Sequence, residues 1–116
     1  MLDLIIKNGS CFINQDLKDQ DIAIKDGKIV SIGKVEDEAK EIYDAKGLTV
    51  LPGCIDTQTH FREPGSTDTE DLHSGGRAAV AGGITAVFEM PNTNPPTSTK
   101  KEFQRKLDLA KNRMYC

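Results

Sequence analysis

The chain opens with stretches in which apolar and polar residues alternate, and later passes to stretches in which apolar residues recur every three or four positions. In the first half, "LDLIIKNG" and "DIAIKDGKIVSIGK" have a period of two, the spacing of a strand that buries one face. Asp26-Gly27 is a hairpin signal between two such runs, because both residue types tolerate the positive φ of a tight turn. "EIYDAKG" and "LTVLPG" follow as further short strands. Together these runs predict a small antiparallel β unit over residues 1–51, with Ile22 and Ile24 on one face, Ile29 on the partner strand and the opposite side wet.

After Pro52 the pattern changes. "CIDTQTH" reads as a short buried strand and "FREPGS" as a Pro/Gly loop. In "TDTEDLHSGGRAAVAGG", Leu72, Gly75, Gly76, Ala79 and Val80 share a helical face, Thr67 and Glu70 fit a T-x-x-E capping box, and Gly82-Gly83 is a stop. The unbroken apolar run "ITAVF" predicts a parallel strand covered on both faces. "EMPNTNPPTS" is a second loop. "TKKEFQRKLDLAKNRMY" is a second helix, opened by a Thr99–Glu102 box, with Phe103, Leu107, Ala110 and Met114 in one stripe.

Residues 52–116 are therefore predicted to form two successive βα units, the building pattern of a parallel α/β sheet or barrel. In such folds reactive residues gather at the C-terminal strand ends and the loops that follow, the places held here by "HFREPG" and "MPNTNPP". A closed barrel needs about 250 residues. These 116 are expected to be the first part of a larger protein, or a part completed by another chain.

Composition narrows the classes. A net charge of −3 with 28% charged residues gives no basic surface for nucleic acid. The one basic stretch, Lys100 to Arg113, also carries Glu102 and Asp108 and reads as a solvated helix face. "MLDLIIKNGS" has the form of neither a signal nor a transit peptide, and no apolar run is long enough to span a membrane, so a cytoplasmic location is expected. Cys11, Cys54 and Cys116 offer neither a disulfide framework nor a C-x-x-C pair, and Cys54 is expected to be a small buried apolar side chain. No P-loop, G-x-G-x-x-G or G-x-S-x-G occurs.

The chemistry-bearing stretch is "PGCIDTQTHFREPG". An H-x-H pair on a strand end can hold one ion, since residues i and i+2 point to the same side. Here Gln58 stands where the first histidine of such a pair would be, and His60 is the second. His60 reads either as a hydrogen-bonded structural imidazole or as a metal ligand. Asp56 alternates with both and could sit beneath the imidazole and orient it. Gln58 offers only a neutral carbonyl oxygen, a poorer zinc ligand than imidazole, or else a hydrogen bond to His60 or the loop. Arg62 suits a bidentate grip on a carboxylate, or a surface ion pair with Glu63; Asn92 could donate to the same carboxylate or simply cap its turn. His73, mid-helix, reads as a solvent-facing or packing residue.

At these residues a resemblance enters. "LPGCIDTQTHFREPG" followed by "AAVAGGITAVFEMPNTNPP" resembles the N-terminal third of dihydroorotases, in the cyclic amidohydrolase branch of the amidohydrolase superfamily. The resemblance runs the whole chain, since those enzymes place a small β unit before a metal-dependent (β/α)8 barrel. Hydantoinases and dihydropyrimidinases share the P-G-x-I-D opening. Allantoinases share E-P-G but typically have Asn at the place of Arg62 and lack the M-P-N-T loop.

The resemblance implies a cytoplasmic hydrolase that interconverts N-carbamoyl-L-aspartate and L-dihydroorotate in pyrimidine synthesis, using one or two zinc ions. It implies His60 as a zinc ligand, and Arg62 and Asn92 as grips on the substrate carboxylate. The remaining family ligands, a lysine, two histidines and an aspartate, come from later strands. Gln58 departs from the family's first histidine and weakens the implied metal centre. A homo-oligomer is expected, with aspartate carbamoyltransferase as a further partner. The other readings are a non-catalytic scaffold subunit and a related cyclic amidohydrolase, an allantoinase or hydantoinase.

Overall fold

In the computed structural model, which describes residues 1–116, Asp26 and Gly27 take φ of 50° and 70° and turn strand β2 (Asp16–Lys25) into β3 (Lys28–Gly33), as the Asp-Gly signal predicts. The long strand β1 (Leu2–Ile13) pairs antiparallel with β2, setting Ile5 opposite Ala23. Strands β4 (Ala39–Asp44) and β5 (Thr49–Val50) also pair with β1, and both run parallel to it. The sheet, ordered β3-β2-β1-β4, is therefore mixed and not the antiparallel unit expected.

The reason lies in residues 34–38. They do not turn back along β3, and they lead to the far edge, where β4 starts in the direction of β1. On the way Val35 buries itself against Ile5 and Ala23, and its N–H donates to the Asp21 carboxylate at 3.2 Å. A period of two is common to parallel and antiparallel strands, so the alternation could not distinguish them. The tight core thus lies on the Ile5–Ala23 side. Ile22 is buried on the opposite side, whereas Ile29, Val30 and Ile32 of the edge strand are exposed, so the division into one buried and one wet face does not hold.

A bulge in β1 ties this unit together. Asn8 (φ 59°) donates its N–H to Asp21 at 3.1 Å and its side-chain amide to Asp44 at 2.9 Å. At the adjoining Gly9 an added Cβ would lie 2.6 Å from Val50, so the close approach of β5 requires glycine there.

The chain forms two compact units, Met1–Pro52 and Gly53–Cys116. In the second, β6 (Cys54–Thr59) and β7 (Ile84–Glu89) pair in parallel; helix α1 (Leu72–Ala81) connects them and α2 (Lys100–Ala110) follows β7. Helix α1 starts later than the Thr67–Glu70 box predicts. Asp71 is its N-cap, accepting the Ser74 N–H at 2.7 Å while Ser74 Oγ accepts the Asp71 N–H at 3.1 Å. Residues 66–70 instead close a turn on the Ser66 carbonyl. Thr99 does cap α2, its Oγ1 accepting the Glu102 N–H at 3.2 Å.

Phe61 and Leu72 form the buried apolar centre of this unit, and the Phe61 ring lies so close to Gly75 that a Cβ there would meet it at 2.6 Å. The other sides of the strands are open. Ile55 and Phe88 are each 60% exposed, and Cys54 is exposed where burial was expected. Strands β6 and β7 have only each other as neighbours, which leaves those side chains uncovered. No helix is long and apolar enough to cross a membrane.

Candidate active-site loops

The loops that leave β6 and β7 are stitched to each other. The Met90 N–H donates to the Thr59 carbonyl at 2.8 Å, continuing the strand pairing by one rung, and the Asn94 N–H donates to the Pro64 carbonyl at 3.0 Å. Gly65, at φ 121°, packs so tightly on Asn94 that a Cβ would lie 2.7 Å from its Cβ. The Glu63–Pro64 and Asn94–Pro95 peptide bonds are cis. In the second loop the Thr93 hydroxyl donates to the Pro95 carbonyl at 2.9 Å, while the Thr93 and Thr97 N–H groups both donate to the Pro91 carbonyl.

This stitching brings His60 and Asn92 together. His60 Nδ1 lies 2.8 Å from Asn92 Oδ1, and since an amide oxygen only accepts, Nδ1 carries the proton. The Nε2 lone pair is then free, on a side chain that is exposed at the end of β6. A hydrogen bond from the non-ligating nitrogen is the usual way a protein prepares an imidazole for a metal.

The other sequence candidates fall around this pair without touching it. Asp56 accepts the Gln58 backbone N–H at 2.9 Å, so it braces the strand end, and Asn92 takes the part expected of Asp56 beside the imidazole. Gln58 is exposed. Arg62 is exposed and belongs to none of the ion pairs, because its neighbour Glu63 is turned inward to Arg113. His73, exposed on α1, has its ring 5.2 Å from that of Tyr115.

Most of the basic stretch of α2 is the solvated face expected, with Lys100, Lys101, Arg105 and Lys111 exposed, but Lys106 and Arg113 depart from it. Lys106 is buried; its Nζ pairs with Glu89 and also donates to the Met90 carbonyl at 3.3 Å. Arg113 grips Glu63 with both terminal nitrogens, at 2.8 and 3.0 Å, and Glu63 also accepts the N–H of Leu72 at the start of α1. The guanidinium holds the Glu63 carboxyl below the ordinary glutamate range. A signal was present in the sequence: Lys106 lies three residues beyond Phe103 and four before Ala110, inside the apolar stripe, where a charge needs a partner.

As a metal centre these residues are incomplete. A catalytic zinc site takes three protein ligands and keeps one position open. His60 suits such a role through Nε2 and Gln58 suits it poorly, and no group of three His, Cys, Asp or Glu side chains comes together. The chain supplies one prepared imidazole, and a full set would require donors from outside these residues.

Residues 49–114 match the family model described as "Amidohydrolase family". The allantoinase of Escherichia coli O1:K1 is 45% identical over 97% of this chain and 25% of its own length. The L-hydantoinase (dihydropyrimidinase) of Arthrobacter aurescens superposes with a TM-score of 0.89 at 33% identity, covering 98% of this chain and 26% of that one. The N-acyl-D-glutamate deacylase of Bordetella bronchiseptica, complexed with zinc and a phosphonate inhibitor, superposes with a TM-score of 0.58 at 29% identity over 74% of this chain and 18% of its own.

The fold neighbours are TIM-barrel amidohydrolases, and β6-α1-β7-α2 is consistent with the start of such a barrel. The chain spans about a quarter of the length of the curated relatives it matches. The resemblance on Arg62 and the M-P-N-T loop points to dihydroorotases, whereas these relatives are an allantoinase and a hydantoinase, so they carry the amidohydrolase family and not dihydroorotases in particular.

Proposed function

The chain belongs to the amidohydrolase family, and from that premise we propose that its protein hydrolyses a cyclic ureide, opening a ring C–N bond as an allantoinase or hydantoinase does. The observation that carries this reading is the His60–Asn92 hydrogen bond, which leaves Nε2 free at a strand end. The identity to an allantoinase and the likeness to a hydantoinase support the ring class.

In this reading His60 and Asn92 each have a physical task. Asn92 Oδ1 holds the proton on Nδ1 of His60, so that Nε2 is one donor of a metal site completed elsewhere in the protein. A metal held there would supply Lewis-acid polarisation and activation of water. Zinc is supported as the metal by the zinc-bound deacylase of similar fold. Glu63 and Arg113 neutralise each other, which leaves Arg62 without a carboxylate partner and without a required task toward a neutral ring.

Arg62 supports a second reading, in which the ring itself carries a carboxylate, as dihydroorotate does. A guanidinium suits a bidentate contact with that group. The test is a panel of allantoin, hydantoin, dihydrouracil and dihydroorotate, assayed with the metal-loaded protein as isolated and with its Arg62→Gln variant. Ring opening of the neutral ureides, with KM little changed by the substitution, is the result expected of the first reading. A preference for dihydroorotate with KM raised by Arg62→Gln would select the second, and no ring opening at all would overturn both.

A further inference from the structure

We infer that Lys106 is a positioning residue for the His60–Asn92 pair, acting through the Met90 carbonyl. The inference rests on the ring-opening reading for its kinetic consequence, though not for its structural one. The chain buries two charged residues, Glu63 at 6% exposure and Lys106 at 8%; Glu63, in the first loop, pairs with Arg113, and Lys106, on α2, pairs with Glu89 at the end of β7. Arg113 of the turn that ends α2 holds Glu63 of the first loop. Lys106 of α2 holds the point where the chain leaves β7, through the Glu89 carboxylate and the Met90 carbonyl together.

Met90 is the pivot. Its N–H binds the Thr59 carbonyl, next to His60, while its carbonyl binds Lys106, and two residues later Asn92 meets the imidazole. Lys106 lies on α2 and Arg113 in the turn that follows it, so this helix and its C-terminal turn restrain both loops across which the hydrogen bond is made. The second oxygen of Glu89 is buried without a hydrogen-bond partner, which leaves Lys106 as its counter-charge. Were the pair only a fold-stabilising contact, its exchange for apolar side chains would leave the imidazole's proton where it is, because such a replacement is commonly tolerated by a fold.

The experiment uses the intact, metal-loaded protein and follows solvent exchange of the His60 Nδ1 proton by NMR together with kcat/KM for ring opening. In Lys106→Met/Glu89→Met, which leaves no unpaired buried charge, exchange is expected to quicken and kcat/KM to fall, each by roughly tenfold, the lower end for loss of a ligand's orienting partner. Lys106→Arg, which can still donate to both acceptors, should restore both readings. If the paired replacement does not fold, Lys106→Gln is read in the same way. Unchanged exchange in a folded variant would overturn the inference, as would loss of protection in Lys106→Arg. A wild-type protein that opens no ring while the exchange behaves as expected would refute the functional reading and leave the positioning role standing.

Discussion

His60 and Asn92, 32 residues apart in sequence, meet through a 2.8 Å hydrogen bond in which the imidazole Nδ1 donates to the amide oxygen. The bond spans the loops after two neighbouring parallel strands, and it fixes which ring nitrogen faces outward. Asn92→Ala is expected to release that choice. Metal affinity or kcat/KM for ring opening should fall about 10- to 100-fold, measured by metal titration and steady-state kinetics; a change in KM alone would mean that Asn92 serves the substrate and not the imidazole.

Gln58 stands one alternation before His60 and offers only a neutral oxygen. Gln58→His in the complete protein should raise zinc affinity, because imidazole is the better donor. Competition against a chelator of known affinity checks this, and equal affinity would place residue 58 outside the metal's coordination.

Gly75 has the Phe61 ring where its own Cβ would be, at 2.6 Å. Gly75→Ala therefore overpacks the centre of the second unit and should cost about 1–3 kcal/mol of stability. Denaturant unfolding measures the loss, and since Phe61 adjoins His60, activity is expected to fall with it.

Glu63 is held below the ordinary glutamate range, chiefly by its hydrogen bonds from Arg113. A carboxyl whose folded pKa lies below its unfolded one stabilises the fold at pH above the unfolded value, about 4.3 for glutamate. That contribution disappears as pH falls through the lower folded value. The pair's contribution to thermal stability should thus be constant with pH near neutrality and be lost in acid. Glu63→Gln should be less stable near neutrality and lose less on acidification; parallel pH profiles for the two proteins would assign the acid sensitivity to other groups.

Much of the element order could be read from periodicity. The Asp26-Gly27 hairpin, the two βα units and the Thr99 cap follow from local chemistry that the structure retains. The direction of β4 could not be read, because a five-residue connection laid across a sheet face leaves no local mark beyond one apolar residue, Val35. The start of α1 was misjudged because two capping signals compete, and Asp71 prevails where Glu63 also accepts the first helical N–H. At the site, strand-end position singled out His60 and Asn92 but not their bond, which depends on how two loops pack. Lys106 was hidden by reading a mixed-charge helix as a solvated face, although its spacing falls on the apolar stripe, and Arg113 lies in the turn after the helix, where no periodicity marks it.

The most direct test of the central claim is to compare metal content and ring opening of the protein as isolated with those of His60→Ala. The account predicts a metal-bearing wild type that opens at least one cyclic ureide, and a folded variant with reduced metal and kcat/KM lower by at least about 100-fold, as for loss of a ligand to a catalytic metal. A folded variant that keeps both its metal and its activity would contradict it.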